Sequence, residues 1–130
     1  MATTARFTDG VGAINQGKDN TDRIKTNEYL TPAYAATIAL KPTKAHTLVK
    51  PGTLTGAVTF TAGVGTSSTA PYVGDTMTFI LIPDGTTRVA TFGTGFLPTG
   101  TLSVTTAKTA NISFIFDGAN WEETGRSVSA

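Results

Sequence analysis

Asn111-Ile-Ser-Phe-Ile-Phe-Asp-Gly-Ala-Asn-Trp-Glu-Glu-Thr-Gly125 decides the fold class, because it reads as one β-hairpin. Ile112, Phe114 and Phe116 alternate with Ser113 and Ile115, and Asp117-Gly118 supplies the turn chemistry that hairpins prefer. On the return strand Trp121 and Glu123 share one face and Glu122 takes the other, since successive strand side chains point oppositely. Upstream the same period of two recurs. Met77, Phe79 and Leu81 face one way and Ile80 and Ile82 the other in a central strand over 75–82, apolar on both sides near its end. Pro83-Asp84-Gly85 turns the chain, 86–92 returns, and Gly93 to Pro98 makes a corner before a strand over 101–104. Further back, Tyr34, Ala36, Ile38 and Leu40 form one row, 45–49 another, and Leu54, Val58 and Phe60 a third, with a Gly/Ser/Thr loop over 63–71. Seven or eight short strands with regular turn signals predict an all-β fold: an antiparallel β-sandwich, jelly-roll-like or a small barrel.

Composition changes near residue 30. Residues 1–30 hold eight of the nineteen charged residues, four of each sign, with no sustained apolar period. Such a segment buries little by itself, so it is expected to be an extended N-terminal arm, with 31–130 as the β-domain. Its isolated apolar residues Phe7, Val11, Ile14, Ile24, Tyr29 and Leu30 are the candidate anchors to a neighbouring subunit. A frayed terminus and a short helix around 20–29 are the alternatives.

The whole chain of 130 residues suits one domain with a sizeable core. Charged residues are 15% and the net charge is +1, so no strong field steers the protein to nucleic acid or an anionic membrane. Threonine is about one residue in five and there are 14 glycines, a mixture that favours pleated strands and glycine turns over long helices. Cysteine is absent, which excludes disulfides, thiolate metal sites and a cysteine nucleophile. The first residues lack an apolar signal core, and no stretch approaches the roughly 18 apolar residues of a membrane span. A chain made and assembled in a cytoplasm, without a membrane partner, is expected.

Catalytic constellations do not emerge. His46 is the only histidine and sits in a strand pattern, with no serine on a G-x-S-x-G elbow to pair with it. Glu122 and Glu123 point to opposite faces and cannot flank one bond. Asp75, Asp84 and Asp117 stand beside glycine or proline, where aspartate caps local backbone. Asp19, Asn20, Asp22 and Glu28 invite a calcium reading, but from Asp19 the third, fifth and sixth positions are Thr21, Arg23 and Ile24, which fails the EF-hand pattern. Gly93-Thr-Gly95 leads into Phe96-Leu-Pro98 and not into a helix that could hold a phosphate. Lys41, Lys44 and Lys50 have no interleaved aromatics, so they read as a solvated face. The expectation is no enzyme, no cofactor and no metal. Trp121 stays open between three roles: a sugar-stacking platform, a core plug and a contact between subunits, the last shared with Tyr72 and Phe96.

The stretch from Gly74 to Arg126, with SFIFDG, then WEE and an arginine, resembles a β-module of structural proteins from tailed bacteriophages, including capsid decoration (cement) proteins and head fibres. The resemblance covers somewhat under half the chain and rests on strand-and-turn patterns. It implies a virion protein of the outer capsid surface that binds and stabilises the major capsid protein, with self-association as a homotrimer. The alternative is a glycan- or receptor-binding β-domain of a phage fibre or tail spike.

Overall fold

The computed structural model describes residues 27–63 and 71–129. In chain order the strands are β1 (Asn27–Leu30), β2 (Thr37–Leu40), β3 (His46–Val49), β4 (Val58–Ala62) and β5 (Thr76–Leu81). They continue as β6 (Arg88–Phe92), β7 (Phe96–Leu97), β8 (Leu102–Val104), β9 (Ala110–Phe116) and β10 (Trp121–Val128). A six-stranded sheet has the order β1-β3-β5-β9-β10-β7, and a four-stranded sheet the order β2-β4-β6-β8. No helix occurs among the described residues. The molecule is an all-β sandwich of two mixed sheets.

Period-two alternation builds the core directly. Met77, Phe79 and Leu81 of β5, Ile112, Phe114 and Phe116 of β9, and Val58, Phe60 and Ala62 of β4 all point inward and are buried. Phe60, Phe79, Phe92, Phe96 and Phe114 then meet between the sheets, with centroid separations of 4.8 Å for Phe60–Phe79, 5.0 Å for Phe79–Phe92 and 4.8 Å for Phe96–Phe114. Tilted and edge-on rings at such distances add to the area they bury. The outer side of β5 is less covered than its sequence suggests: Ile80 is half-buried and Ile82 exposed.

The antiparallel expectation is corrected. Five of the eight strand pairings are parallel: β1/β3, β3/β5, β2/β4, β4/β6 and β7/β10. From β1 to β9 every connection crosses to the other sheet, so β1 to β6 and β8 are each laid beside a strand two places away in the chain, whereas β9 lies between β5 and β10 and β7 lies beside β10, unlike the antiparallel order of a jelly roll. Strand β6 therefore does not return beside β5, as the turn at Pro83 suggested; it pairs with β4 and β8. Two sheets with separate edges also replace the barrel alternative.

Proline placement gives the physical reason. The six prolines, Pro32, Pro42, Pro51, Pro71, Pro83 and Pro98, each lie in a different crossing between sheets, whereas the β9–β10 connection within one sheet has none. A residue without an N–H cannot extend a ladder, so the chain leaves the sheet there. Successive corners then bond to one another: Gly52 N–H donates to Pro32 O at 2.9 Å, and Leu54 bridges the Pro83 corner through Leu54 N–H to Ile82 O (2.9 Å) and Asp84 N–H to Leu54 O (3.0 Å). The crossing from β6 to β7 uses glycine instead. Gly95 has φ +93°, and a Cβ there would lie 2.2 Å from Ala62 O, so only glycine permits the approach.

The C-terminal hairpin is antiparallel, as its sequence predicts, with Phe116 opposite Trp121 and a bulge between Ser113 and Phe114. Gly118 takes φ +102° in its turn, and Asp117 Oδ1 accepts the N–H groups of Ala119 and Asn120, both at 2.8 Å.

Candidate functional site

Strand β1 is the root of the N-terminal segment. It pairs in parallel with β3 in the register Asn27–His46 to Leu30–Val49, so residues expected to belong to the arm lie in the six-stranded sheet at its edge. Glu28 fastens this edge. Its Oε1 accepts from Thr43 N–H (2.6 Å), Lys44 N–H (3.3 Å) and the Thr47 hydroxyl (2.9 Å), and its Oε2 from the Thr43 hydroxyl (3.2 Å). One carboxylate thus satisfies the corner between β2 and β3 and ties it to β1. Charge-assisted bonds of this kind are stronger than neutral ones. Sequence reasoning weighed Glu28 only as a metal ligand, and the spacing of 15 to 19 residues to its partners carries no local signal.

The candidate anchors divide. Tyr29 projects outward at 57% exposed, while Leu30 is half-buried and packs against the core. Phe7, Val11, Ile14 and Ile24 lie outside the described residues. Of the helix alternative over 20–29, residues 27–29 are in a strand and 20–26 lie outside the described residues.

Two of the three candidate interface residues are corrected to core positions. Trp121 is fully buried, with its ring 5.3 Å from that of Phe116, and its Nε1 has no hydrogen-bond partner among the described residues. Phe96 is buried beside Phe114. The reason is the parallel β7/β10 pairing, Phe96 opposite Trp121, which turns both rings inward under the hairpin. Neither ring is available to a sugar or a second subunit. Tyr72 does project, at 51% exposed, on a turn held by Asp75: Tyr72 N–H donates to Asp75 Oδ2 at 2.9 Å and Asp75 N–H to Tyr72 O at 3.0 Å.

Carboxylates elsewhere serve the backbone and arginines. Asp84 accepts from Arg88 Nε (2.9 Å) and Nη2 (2.8 Å), and this bond holds its carboxyl below the usual range. Glu123 accepts from Arg126 Nε and Nη2, both at 2.7 Å, and from Thr99 N–H at 2.7 Å. The arginine first, and the Thr99 N–H after it, lower Glu123 to about 2 against the opposing effect of burial. Arg126 also donates to Thr101 O (2.8 Å) and Gly100 O (3.1 Å), fixing the turn before β8. The hairpin brings Asp117 to Glu122, and their shared hydrogen bond lowers Asp117 to about 2 and raises Glu122. Among the described residues no group of three or more His, Asp or Glu side chains is placed to hold a metal ion.

Two surface hollows among the described residues bear on β1. One of about 420 Å³ lies between Tyr29, Pro32, Lys50, Pro51 and Ile82, at the far end of β1. The other, of about 330 Å³, lies over β1, β3 and β5 and is lined by His46, Leu48, Thr76 and Thr78. His46 is exposed there, with Nδ1 2.8 Å from the Thr76 hydroxyl. No protein-family model matches this sequence, and no curated protein is significantly similar to it.

Proposed function

We propose that this chain is a structural virion protein that decorates the outer surface of a phage capsid and stabilises it by binding major capsid protein subunits. The observation that carries this reading is the root of the N-terminal segment. Residues 1–26 lead straight into an edge strand whose four residues pair with β3 and whose Glu28 is bonded to a separate corner of the sandwich. Tension on that segment along the strand loads the ladder bonds together, so a rooted arm transmits force to the whole domain. An arm laid on neighbouring shell subunits can add a strand to an exposed sheet edge, and many such links around a closed shell add up through multivalency. Three copies per site is the state that the resemblance implies. Among the described residues, the exposed Tyr72 is the remaining candidate for that contact.

The test is co-sedimentation with expanded capsid shells, comparing the intact chain with one that lacks residues 1–26. The truncation stops short of β1 because removing Asn27–Leu30 would strip the sheet edge. Saturable binding of the intact chain, lost on truncation with the circular dichroism unchanged, is the expected result. Equal binding of both would sink the arm mechanism, and an intact chain left in the supernatant would sink decoration itself.

A further inference from the structure

The outer face of the six-stranded sheet is complementary to itself. One row of outward side chains runs Asn27, His46, Thr76, Ile115, Glu122, Leu97 across all six strands, as the pairings Asn27–His46, His46–Thr76, Thr76–Ile115, Ile115–Glu122 and Glu122–Leu97 dictate. The next row runs Tyr29, Leu48, Thr78, Ser113, Gly125. The half over β1, β3 and β5 is concave, being the hollow of about 330 Å³. The half over β9, β10 and β7 carries Ile115 at 38% exposed, Leu97 at 50% exposed and the exposed Glu122.

We propose that two copies of this chain pair face to face through this surface, about a two-fold axis parallel to the strands and passing between β5 and β9. Such an axis reverses the strand order and keeps the rows, so β10 of one copy lies over β3 of the other. Glu122 then meets His46 of the second copy, and the exchange is made twice because the contact is isologous. Ile115 and Leu97 project toward the hollow, and Leu48 falls over Gly125, where no side chain opposes it.

Three further features favour this occupant. The histidine engages Thr76 through Nδ1, which leaves Nε2 as the ring atom free to donate to a carboxylate from outside. Most other polar groups on the face are bonded laterally: the Thr78 and Ser113 hydroxyls at 3.1 Å, and Ser127 Oγ to Asn111 Oδ1 at 3.1 Å. Covering groups already bonded to each other sacrifices little hydration. Size also discriminates. The strands of the six-stranded sheet, about 3.3 Å per residue and about 4.8 Å apart, offer about 500 Å² per copy, at the lower limit for a specific pair, whereas the outer face of the four-stranded sheet offers little more than half of that. The contact is independent of the capsid reading and compatible with it, since a two-fold contact joins either single chains or three-fold assemblies.

The measurement is mass by light scattering or sedimentation velocity on the full chain, from about 1 μM to 1 mM. Wild type is expected to double in mass, from one chain to two, or from three to six if three-fold assembly is present. H46E, which places two carboxylates opposite, and E122K, which replaces the acceptor with a cation facing the His46 N–H, should each raise the dissociation constant about tenfold or more, and the double variant H46E/E122K should restore pairing through an ion pair between the two positions. Thermal melts of all four proteins keep loss of folding apart from loss of pairing. No doubling in wild type, doubling unaffected by either swap, or a double variant no better than the singles would each overturn the proposal. So would protection of His46 from chemical modification in a wild type that never doubles, because the cover would then come from its own chain. Binding of capsid shells by a variant that no longer doubles would leave the decoration reading standing.

Discussion

The hairpin β9–β10 and the interleaved strands β1–β6 are made of the same residue types and obey the same alternation, yet they are held together in opposite ways. In the hairpin, Phe116 and Trp121 pair across a four-residue turn, a separation of 121 − 116 = 5. In the interleaved region, Asn27 pairs with His46 and Val58 with Ala90, separations of 46 − 27 = 19 and 90 − 58 = 32. Local pairing closes a small loop and is rewarded early. Parallel pairing through the opposite sheet must close large loops before any ladder bond forms, which raises the entropic barrier more than it changes final stability. The two regions are nonetheless one cooperative body, because their aromatic side chains fill the same space between the sheets.

The largest expected effect tests that unity. Phe79 lies on β5, which is parallel to β3 on one side and antiparallel to β9 on the other, and its ring touches those of Phe60, Phe92, Phe96 and Phe114. Phe79→Ala should cost about 3–5 kcal/mol, because it removes a fully buried ring that both sheets share. Urea unfolding followed by tryptophan fluorescence, which reports the hairpin, and by far-UV circular dichroism, which reports all strands, should give coincident transitions at a lower midpoint. A hairpin signal that survives after the dichroism has gone would separate the two regions.

What could be read from the residues follows the same division. The inward rows of β5 and β9, the turn at Asp117-Gly118 and the opposite faces of Glu122 and Glu123 were legible because alternation and turn chemistry are local. Strand direction was not, since a period of two is identical in parallel and antiparallel ladders. One further signal lies in the residues: prolines stand in six of the eight crossings between the sheets, and the hairpin link has none. The candidate site divides likewise. Trp121 and Phe96 look alike as exposed or buried aromatics until β7 is known to pair with β10, and Glu28 acquires its role only when the corner after β2 is brought beside β1.

A middle-sized effect comes from the weld between hairpin and sandwich. Glu123 and Arg126 sit either side of the hairpin's irregular segment and reach Thr99 N–H, Gly100 O and Thr101 O. The Glu123 carboxylate is lowered to about 2, mainly by the arginine. A depressed carboxylate contributes stability that is present above its unfolded value near 4.3 and is lost as pH falls toward about 2. Glu123→Gln should therefore cost about 1–3 kcal/mol at pH 6, in line with hydrogen bonds to charged groups, and the gap from wild type should narrow steadily below pH 4. Urea midpoints at pH 6, 4 and 2.5 read it. A gap that holds constant with pH would mean that packing of the side chain, and not its charge, joins the regions. In the interleaved region the Asp84–Arg88 pair has a similarly exposed arginine but a far more exposed carboxylate, 31% against 7% for Glu123, and its removal should move the midpoints little.

The smallest effect is expected at the largest side chain of the hairpin, where two terms oppose. Trp121 is fully buried, and replacing it with phenylalanine removes part of an aromatic surface that packs on Phe116, a loss of about one to two buried carbon groups at about 0.8 kcal/mol each after relaxation. The same change removes an indole N–H that is buried with no partner among the described residues, a group whose desolvation costs about 1–3 kcal/mol when left unbonded. The terms are of similar size and opposite sign, so Trp121→Phe should shift stability by under about 1.5 kcal/mol, against several for Trp121→Ala, which leaves the cavity and gains no compensation beyond the same N–H. Thermal unfolding by circular dichroism compares the two, since the only tryptophan is gone from both. A loss for Trp121→Phe as large as that for Trp121→Ala would show that the indole N–H has an acceptor in solution, and that the hairpin is fastened at this point by a polar bond as well as by packing.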